Sequence, residues 1–233
     1  MGRKLLYLII LISISAQSQI EPRILLSEAI AKNIKTYVQK SQKAYALHDF
    51  DHAEFLFDSL INNVVNGSYM DNFHIRKRGG KKIEMKKFKK PIFLMTYASW
   101  CAPGIGEIPA LNKIAEKHYK DVDFIILFWD SKENVQKSSK NYSRRINVVY
   151  VDEKENTHNH IVQTLKHSLG FPTSFFIDKN KKIVDVRRGA LHPYNEKYEV
   201  SFELNYTSFL NGISLLKTLD DNPKDNLVLT PIP

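Results

Sequence analysis

The chain has 233 residues, of which 43% are apolar and 25% charged. This composition is typical of a soluble globular protein of one domain plus an appendage, and it excludes a fibrous repeat or a disordered chain. The formal net charge is +9, and the single cysteine excludes an internal disulfide framework and a zinc site built on several thiolates.

The first eighteen residues have the pattern of a secretory signal peptide. Arg3 and Lys4 precede the apolar run 5–14, and Ala16 and Ser18 supply the small residues of a cleavage site before residue 19. This run of ten residues, nine of them apolar, is too short for a helix to span a hydrocarbon core of roughly 30 Å. We therefore predict export, with an uncleaved anchor or a buried N-terminal helix as the alternative.

Residues 27–66 are predicted to form two helices joined by a short turn. Apolar residues recur at helical spacing in both halves. Ser27 is the expected N-cap of the first helix, Asp49 or Asp51 starts the second, and Asn66-Gly67 ends it. This helical hairpin is either a cap on the main domain or a partner-binding element, and the sequence does not decide between them.

An alternation of strands and helices follows, which predicts an α/β domain with a mixed central sheet, parallel central strands and helices on both faces. Gly79-Gly80 marks a hairpin between the first two strands, and the short turn at 178–181 makes the last two strands antiparallel. The predicted strands are 73–75, 82–85, 91–97, 123–129, 147–151, 173–177 and 182–186, and the predicted helices are 101–120, 132–142, 158–169 and 206–219.

These patterns divide the chain into four parts: a signal peptide (1–18), a helical N-terminal region (19–69), an α/β domain (70–220) and a flexible tail (221–233). Segment 76–90 carries nine Lys and Arg residues against Glu84 alone. Such a patch attracts anions, but few aromatic residues interleave it for base stacking. We therefore interpret it as a solvated hairpin and predict no nucleic-acid partner.

Two motifs carry the chemistry. Residues 100–103, Trp-Cys-Ala-Pro, come directly after a predicted buried strand, and residues 170–173, Gly-Phe-Pro-Thr, open a later strand. In this order, and with the basic hairpin ahead of them, they resemble the thioredoxin superfamily and its exported bacterial branch of TlpA-like or ResA-like thiol-disulfide oxidoreductases. The resemblance covers residues 71–219. It implies a thioredoxin fold, a periplasmic or extracellular location, and thiol-disulfide exchange without a cofactor.

Cys101 is the predicted catalytic residue. At the start of a predicted helix, its thiolate would be stabilised by unpaired N–H groups and the helix dipole, which would lower the thiol pKa. The resemblance implies a cis bond before Pro172 and an acid/base role for Glu107, although a solvated helix glutamate is an equal alternative. It also implies a substrate-binding role for Trp100, Ala102, Pro103, Phe171, Pro172 and Thr173.

The chain departs from the family pattern at Gly104, where the second cysteine of C-x-x-C would stand. A lone thiol forms a mixed disulfide but cannot resolve it, so an outside thiol is needed. The sequence therefore predicts monothiol exchange with cysteine-containing proteins or small-molecule thiols. The main alternative is a non-catalytic binding module. A peroxidatic cysteine is disfavoured because Ala98 stands where Thr or Ser is expected.

No metal site is predicted. His158, His160 and His167 lie near the start of one predicted helix, but the first two are poorly spaced for one helical face. No carboxylate–histidine motif completes a ligand set with them, so we interpret them as solvated histidines.

Overall fold

A computed structural model describes residues 23–151, 162–188 and 196–221. Within these ranges seven strands form one sheet in the order β2-β1-β5-β4-β3-β6-β7. The strands are β1 His74–Lys77, β2 Lys82–Glu84, β3 Ile92–Tyr97, β4 Asp123–Trp129, β5 Ile146–Val151, β6 Thr173–Ile177 and β7 Ile183–Arg188. The helices are α1 Leu26–Ala46, α2 Phe50–Leu60, α3 Glu107–His118, α4 Lys132–Ser138 and α5 Tyr198–Asp221, with short π-helical segments at Ile61–Val65 and Val162–Ser168 and a 3-10 turn at Met85–Lys87.

The three central strands are parallel, because β4 pairs in parallel with both β3 and β5. β6 and β7 form an antiparallel hairpin beside β3, and β1 and β2 form another beside β5. Every residue of β3 is buried, as expected for a strand with a helical layer on each face. The predicted mixed sheet with parallel central strands is confirmed.

Alternate residues of β3 belong to two separate cores. Ile92 and Leu94 pack on one side with Leu26 and Phe57 of the helical hairpin. On the other side the core contains Phe93, Met95, Ala110, Leu111, Ile114, Phe209, Ile213 and Leu216, which join β3 to α3 and α5. The N-terminal helical hairpin therefore forms one layer of the domain, and α3 and α5 form the opposite layer.

Three predicted helix starts are wrong, and α4 ends at Ser138, four residues before the predicted 142. The N-cap position of α1 is Leu25, whereas Ser27 lies inside the helix and binds Asp71, its hydroxyl donating to Oδ1 at 2.6 Å and its N–H to Oδ2 at 3.0 Å. The helix expected from 101 begins only at Glu107. The last helix begins at Tyr198, eight residues before the predicted 206.

The second helix starts as predicted, since Asp49 is its N-cap and accepts a hydrogen bond from the backbone N–H of His52 at 3.1 Å. The predicted signal peptide and most of the predicted tail lie outside the described residues, as do His158 and His160. The described part contains no helix both long enough and apolar enough to cross a bilayer.

Candidate active site

Cys101 lies in an irregular loop between the end of β3 at Tyr97 and the start of α3 at Glu107. Its thiol is free and partly exposed, and its backbone N–H donates to the carbonyl of Ala98 at 3.0 Å. The side chain also packs against the core beneath α3 and α5. The thiol is therefore accessible from one side and held by apolar contacts on the other.

The expected helix-dipole stabilisation of the thiolate is wrong. α3 begins six residues after Cys101. The unpaired N–H groups of its first turn therefore belong to Glu107 and the residues after it, and not to Cys101 and its neighbours. Burial raises the pKa of the Cys101 thiol, hydrogen bonding at the Ala98 backbone lowers it by less, and the Glu107 carboxylate raises it further. The surroundings of Cys101 therefore favour the protonated thiol over the thiolate.

An aromatic surface adjoins the thiol. The ring of Trp100, 75% exposed, lies 6.2 Å from the ring of Phe171, and Phe171 in turn stacks on Trp129 at 6.4 Å. The bond between Phe171 and Pro172 is cis, as the resemblance implies. The two motifs are seventy residues apart in sequence, and they meet where β3 ends and β6 begins.

The remaining predicted substrate-binding residues differ in accessibility. Ala102 and Pro103 are exposed on the loop, and Phe171 and Pro172 are partly exposed. Thr173 is buried, its hydroxyl donates to the Gly170 carbonyl at 2.9 Å, and its own carbonyl accepts from the Thr96 hydroxyl at 3.2 Å. Thr173 therefore holds the cis-proline loop on β3, while the other four present surface to solvent.

Glu107 is buried, with 2% of its surface exposed, so the alternative of a solvated helix glutamate is wrong. The hydroxyl of Tyr97 donates to its Oε1 at 3.1 Å. Burial raises the pKa of Glu107 to about 7, against the opposing effect of hydrogen bonds from Tyr97 and the Gly104 backbone. Burial also raises the pKa of Tyr97 and of Tyr142, with the Glu107 carboxylate adding to both. Glu107 is thus the titrating group of this cluster near neutral pH.

Three further residues position the loop and were not singled out from the sequence. Asp130, after β4, accepts from the Ser99 N–H at 2.9 Å. Ser201 of α5 accepts from the Gly106 N–H at 3.1 Å, and a side chain at Gly106 would meet the backbone of Phe202. The glycine pattern at 104 and 106 was a visible signal of a close approach, but the approaching helix was not predictable from it.

A profile of the AhpC/TSA family matches residues 67–186, more than half of the chain. The chain belongs to the AhpC/TSA family. Within it, the chain is 33% identical over 127 residues to the thiol-disulfide oxidoreductase ResA of Bacillus thuringiensis subsp. konkukian, covering 53% of this chain and 69% of that protein. The ResA of one Bacillus cereus strain is 36% identical over 123 residues, covering 51% of this chain and 67% of that protein.

Solved structures agree on the fold. A candidate protein disulfide isomerase from Bacteroides thetaiotaomicron superposes with a TM-score of 0.51 at 22% identity, over 68% of this chain and 94% of that one. This AhpC/TSA family protein is therefore a thioredoxin-fold member of the ResA/TlpA-like branch. Its departure from the C-x-x-C pattern remains, because the buried Gly104 follows Cys101 at the spacing of the second cysteine.

Proposed function

We propose that this protein is an exported thiol-disulfide oxidoreductase that works by monothiol exchange through Cys101. The observation that carries the proposal is the placement of the chain's one thiol. It is partly exposed beside the Trp100–Phe171 aromatic surface and in the same loop cluster as the cis-proline, and Gly104 leaves it without a resolving partner.

The proposed substrate is a mixed disulfide between a protein cysteine and a small-molecule thiol, or a protein disulfide that needs isomerising. In the first step the Cys101 thiolate attacks one sulfur, the new S–S bond forms as the old one breaks, and the released thiolate takes a proton. In the second step an outside thiolate attacks the mixed disulfide and restores Cys101. For the mixed disulfide, the net result is reduction of the protein cysteine and oxidation of the outside thiol to a disulfide. For isomerisation, a second cysteine of the substrate attacks the mixed disulfide instead, so Cys101 is restored without net oxidation or reduction.

Glu107 is the proposed proton carrier for both steps. A carboxyl group whose pKa is about 7 is ionised in a substantial fraction of molecules at neutral pH and can accept and return protons. Cys101 needs such a base because burial holds its thiol pKa above the ordinary value. Tyr97 fixes the carboxylate through its hydroxyl, so we assign it a positioning role.

The proposed binding surface consists of the exposed residues of the two motifs. Trp100 and Phe171 offer an apolar platform, with Ala102, Pro103 and Pro172 along its margin. An extended peptide that carries an apolar side chain next to its cysteine would bury that side chain on the Trp100 ring, which would stabilise the complex.

We also propose that residues 1–18 direct export and are then removed, that 19–69 and 70–220 form the helical region and the thioredoxin-like domain, and that 221–233 is a tail. The basis is the signal-peptide pattern in the sequence. N-terminal sequencing of the protein recovered from the periplasm or medium should begin at Gln19, and recovery of an uncleaved chain from the cytoplasm would refute export.

Intact-mass measurement tests the exchange directly. The reduced protein is incubated with the oxidised form of a small-molecule thiol and quenched with acid. One added thiol moiety is expected, removable by reductant and absent in Cys101→Ser. The matched control is Ser99→Ala, which keeps Cys101 and the backbone hydrogen bond to Asp130 and loses only the one from the Ser99 side chain, so the adduct should still form. No adduct on the wild-type protein at any pH up to about 9.5, well above the ordinary thiol pKa, would contradict the proposal.

A further inference from the structure

The two helices of the N-terminal hairpin carry opposite charges. α1 contains Lys32, Lys35, Lys40 and Lys43, all exposed, against Glu28 near its start. α2 contains Asp51, Glu54 and Asp58, also exposed, and neither lysine nor arginine. Within the described residues no ion pair joins these lysines to these carboxylates. Each helix therefore keeps its own sign of charge available to a partner.

Helical spacing gathers these charges into stripes. Lys32, Lys35 and Lys43 fall on one face of α1, away from the buried face that includes Leu26 and Ile30. In the same way Asp51, Glu54 and Asp58 fall at i, i+3 and i+7 on the face of α2 opposite its buried residues Ala53, Phe57 and Leu60. We call these the basic stripe and the acidic stripe.

The ends of the two helices at the turn, and the second turn of α2, carry exposed large apolar side chains. Leu47 is 69% exposed, Phe50 60% and Phe55 64%, and Tyr45 is also exposed. The Tyr45 and Phe50 rings lie 6.3 Å apart, whereas the Phe55 ring stacks on His52 at 6.1 Å. We call Tyr45, Leu47, Phe50 and Phe55 the apolar tip. Single exposed apolar residues are ordinary, but four large ones within eleven consecutive residues indicate an interaction surface.

The charged residues near the apolar tip indicate which kind of partner it would bind. Asp49, Asp51 and Glu54 are within a turn or two of Phe50 and Phe55, and they would repel an anionic lipid surface. A surface with a basic stripe, an acidic stripe and an apolar patch is instead complementary to itself after a two-fold rotation. Such a rotation brings each basic stripe onto the acidic stripe of the other copy.

We propose that the outer face of the helical hairpin is the interface of a homodimer, in which basic and acidic stripes pair twice and the apolar tips add buried area. The apolar contacts supply most of the affinity, whereas exposed ion pairs contribute little energy but fix the register and the pairing. Because Cys101 lies outside the hairpin, the dimer does not depend on disulfide formation or on the proposed exchange activity.

Sedimentation velocity on the mature chain in excess reductant tests the apolar part. We expect a concentration-dependent monomer–dimer equilibrium over about 5 to 200 µM, weakened only modestly by salt because the apolar contacts supply most of the affinity. Phe55→Gln removes two buried rings per dimer, so it should weaken dimerisation about tenfold or more. The matched control is Leu215→Gln on α5, also an exposed apolar residue, which should leave the equilibrium unchanged.

Charge reversal tests the pairing. One variant carries Lys32→Glu, Lys35→Glu and Lys43→Glu, and a second carries Asp51→Lys, Glu54→Lys and Asp58→Lys. Each alone should be monomeric because both of its stripes have the same sign. Mixed together they should form a heterodimer, since each copy then offers the stripe that the other needs.

A control separates this pairing from general attraction between oppositely charged proteins. Lys117→Glu, Lys120→Glu and Lys137→Glu give the same net charge as the first variant but lie away from the hairpin. Mixed with the second variant, this control should form no heterodimer, because only one of the two stripe pairs would be complementary. It should still form its own homodimer, because its hairpin is unchanged. The proposal is overturned if the wild-type protein is monomeric throughout the concentration range, if the reversed variants fail to pair while both remain folded by circular dichroism, or if the control pairs with the second variant as well as the first variant does.

Discussion

A side chain at Gly106, in the active-site loop, would collide with the backbone of α5. A Cβ atom at this residue would lie 2.2 Å from the backbone nitrogen of Phe202, 2.5 Å from its Cα and 2.6 Å from the carbonyl carbon of Ser201. All three atoms are backbone, so no side-chain rotation relieves the overlap. In Gly106→Ala, the start of α5 and the loop must therefore separate by more than about 1 Å to reach ordinary van der Waals contact.

The expected cost has two parts. Overpacking of this kind destabilises by about 1–3 kcal/mol. The separation also stretches the hydrogen bond from the Gly106 N–H to the Ser201 hydroxyl, now 3.1 Å, which is worth about 1 kcal/mol. Together they predict a loss of about 2–4 kcal/mol, or a fall in Tm of roughly 5–15 °C for a chain of this size.

Urea and thermal unfolding followed by circular dichroism measure this effect. Gly79→Ala is the matched control, because a Cβ there has nothing within 4 Å, and it should change stability by less than about 0.5 kcal/mol. Ser201→Ala separates the two parts, since it removes only the hydrogen bond. If Gly106→Ala is as stable as Gly79→Ala, the close approach of α5 to the thiol loop is wrong.

Four other perturbations test the site. Burial raises the folded-state pKa of Glu107 from 4.5 to about 7, so between these pH values the folded state holds a proton that the unfolded state has lost. The unfolding free energy should therefore fall by on the order of 3 kcal/mol between pH 4.5 and 7. Glu107→Gln should remove that fall, and an unchanged pH dependence in this variant would contradict the assignment to Glu107. In pH titrations of Cys101 alkylation, the wild-type midpoint should exceed the ordinary thiol value, and Glu107→Gln should lower it because a negative neighbour is gone; a midpoint that does not move would refute the coupling. Gly104→Cys should give disulfide-reductase turnover with an ordinary reductant, and its failure in a folded, reduced variant would count against a preserved redox site. Trp100→Ala should slow exchange with peptide disulfides several-fold while leaving exchange with small disulfides and the Tm nearly unchanged, and equal loss with both substrates would exclude a binding role for the ring.

The strands were the most predictable part of the fold. The runs at 92–97 and 123–129 are almost wholly apolar because both faces of these strands are covered. Such a run can be recognised in one sequence without an alignment. The hairpin at Gly79-Gly80 was also recoverable from turn chemistry, as was the N-cap at Asp49. In each case the signal is local, so no knowledge of the rest of the fold is needed.

The errors arose where distant parts of the chain decide the structure. Residues 101–106 have the proline of a first helical turn, yet the loop stays irregular and is tied to α5 through Ser201, ninety-five residues away. Likewise Ser27 is an ordinary N-cap residue by type, but its hydroxyl is bound by Asp71. The burial of Glu107 depends on Tyr97 and on the helices above it. The spacing of apolar and polar residues along the sequence does not predict these long-range contacts.

The most direct test of the central claim is a turnover measurement on a peptide held in a mixed disulfide with a small-molecule thiol, with the same thiol supplied in excess. Monothiol exchange predicts two-step kinetics, in which the rate depends on both the peptide and the outside thiol and a Cys101 mixed disulfide accumulates when that thiol is scarce. Cys101→Ser should reduce the rate to the uncatalysed value. Equal rates for the wild-type protein and Cys101→Ser, with both folded, would contradict the claim that Cys101 performs the exchange.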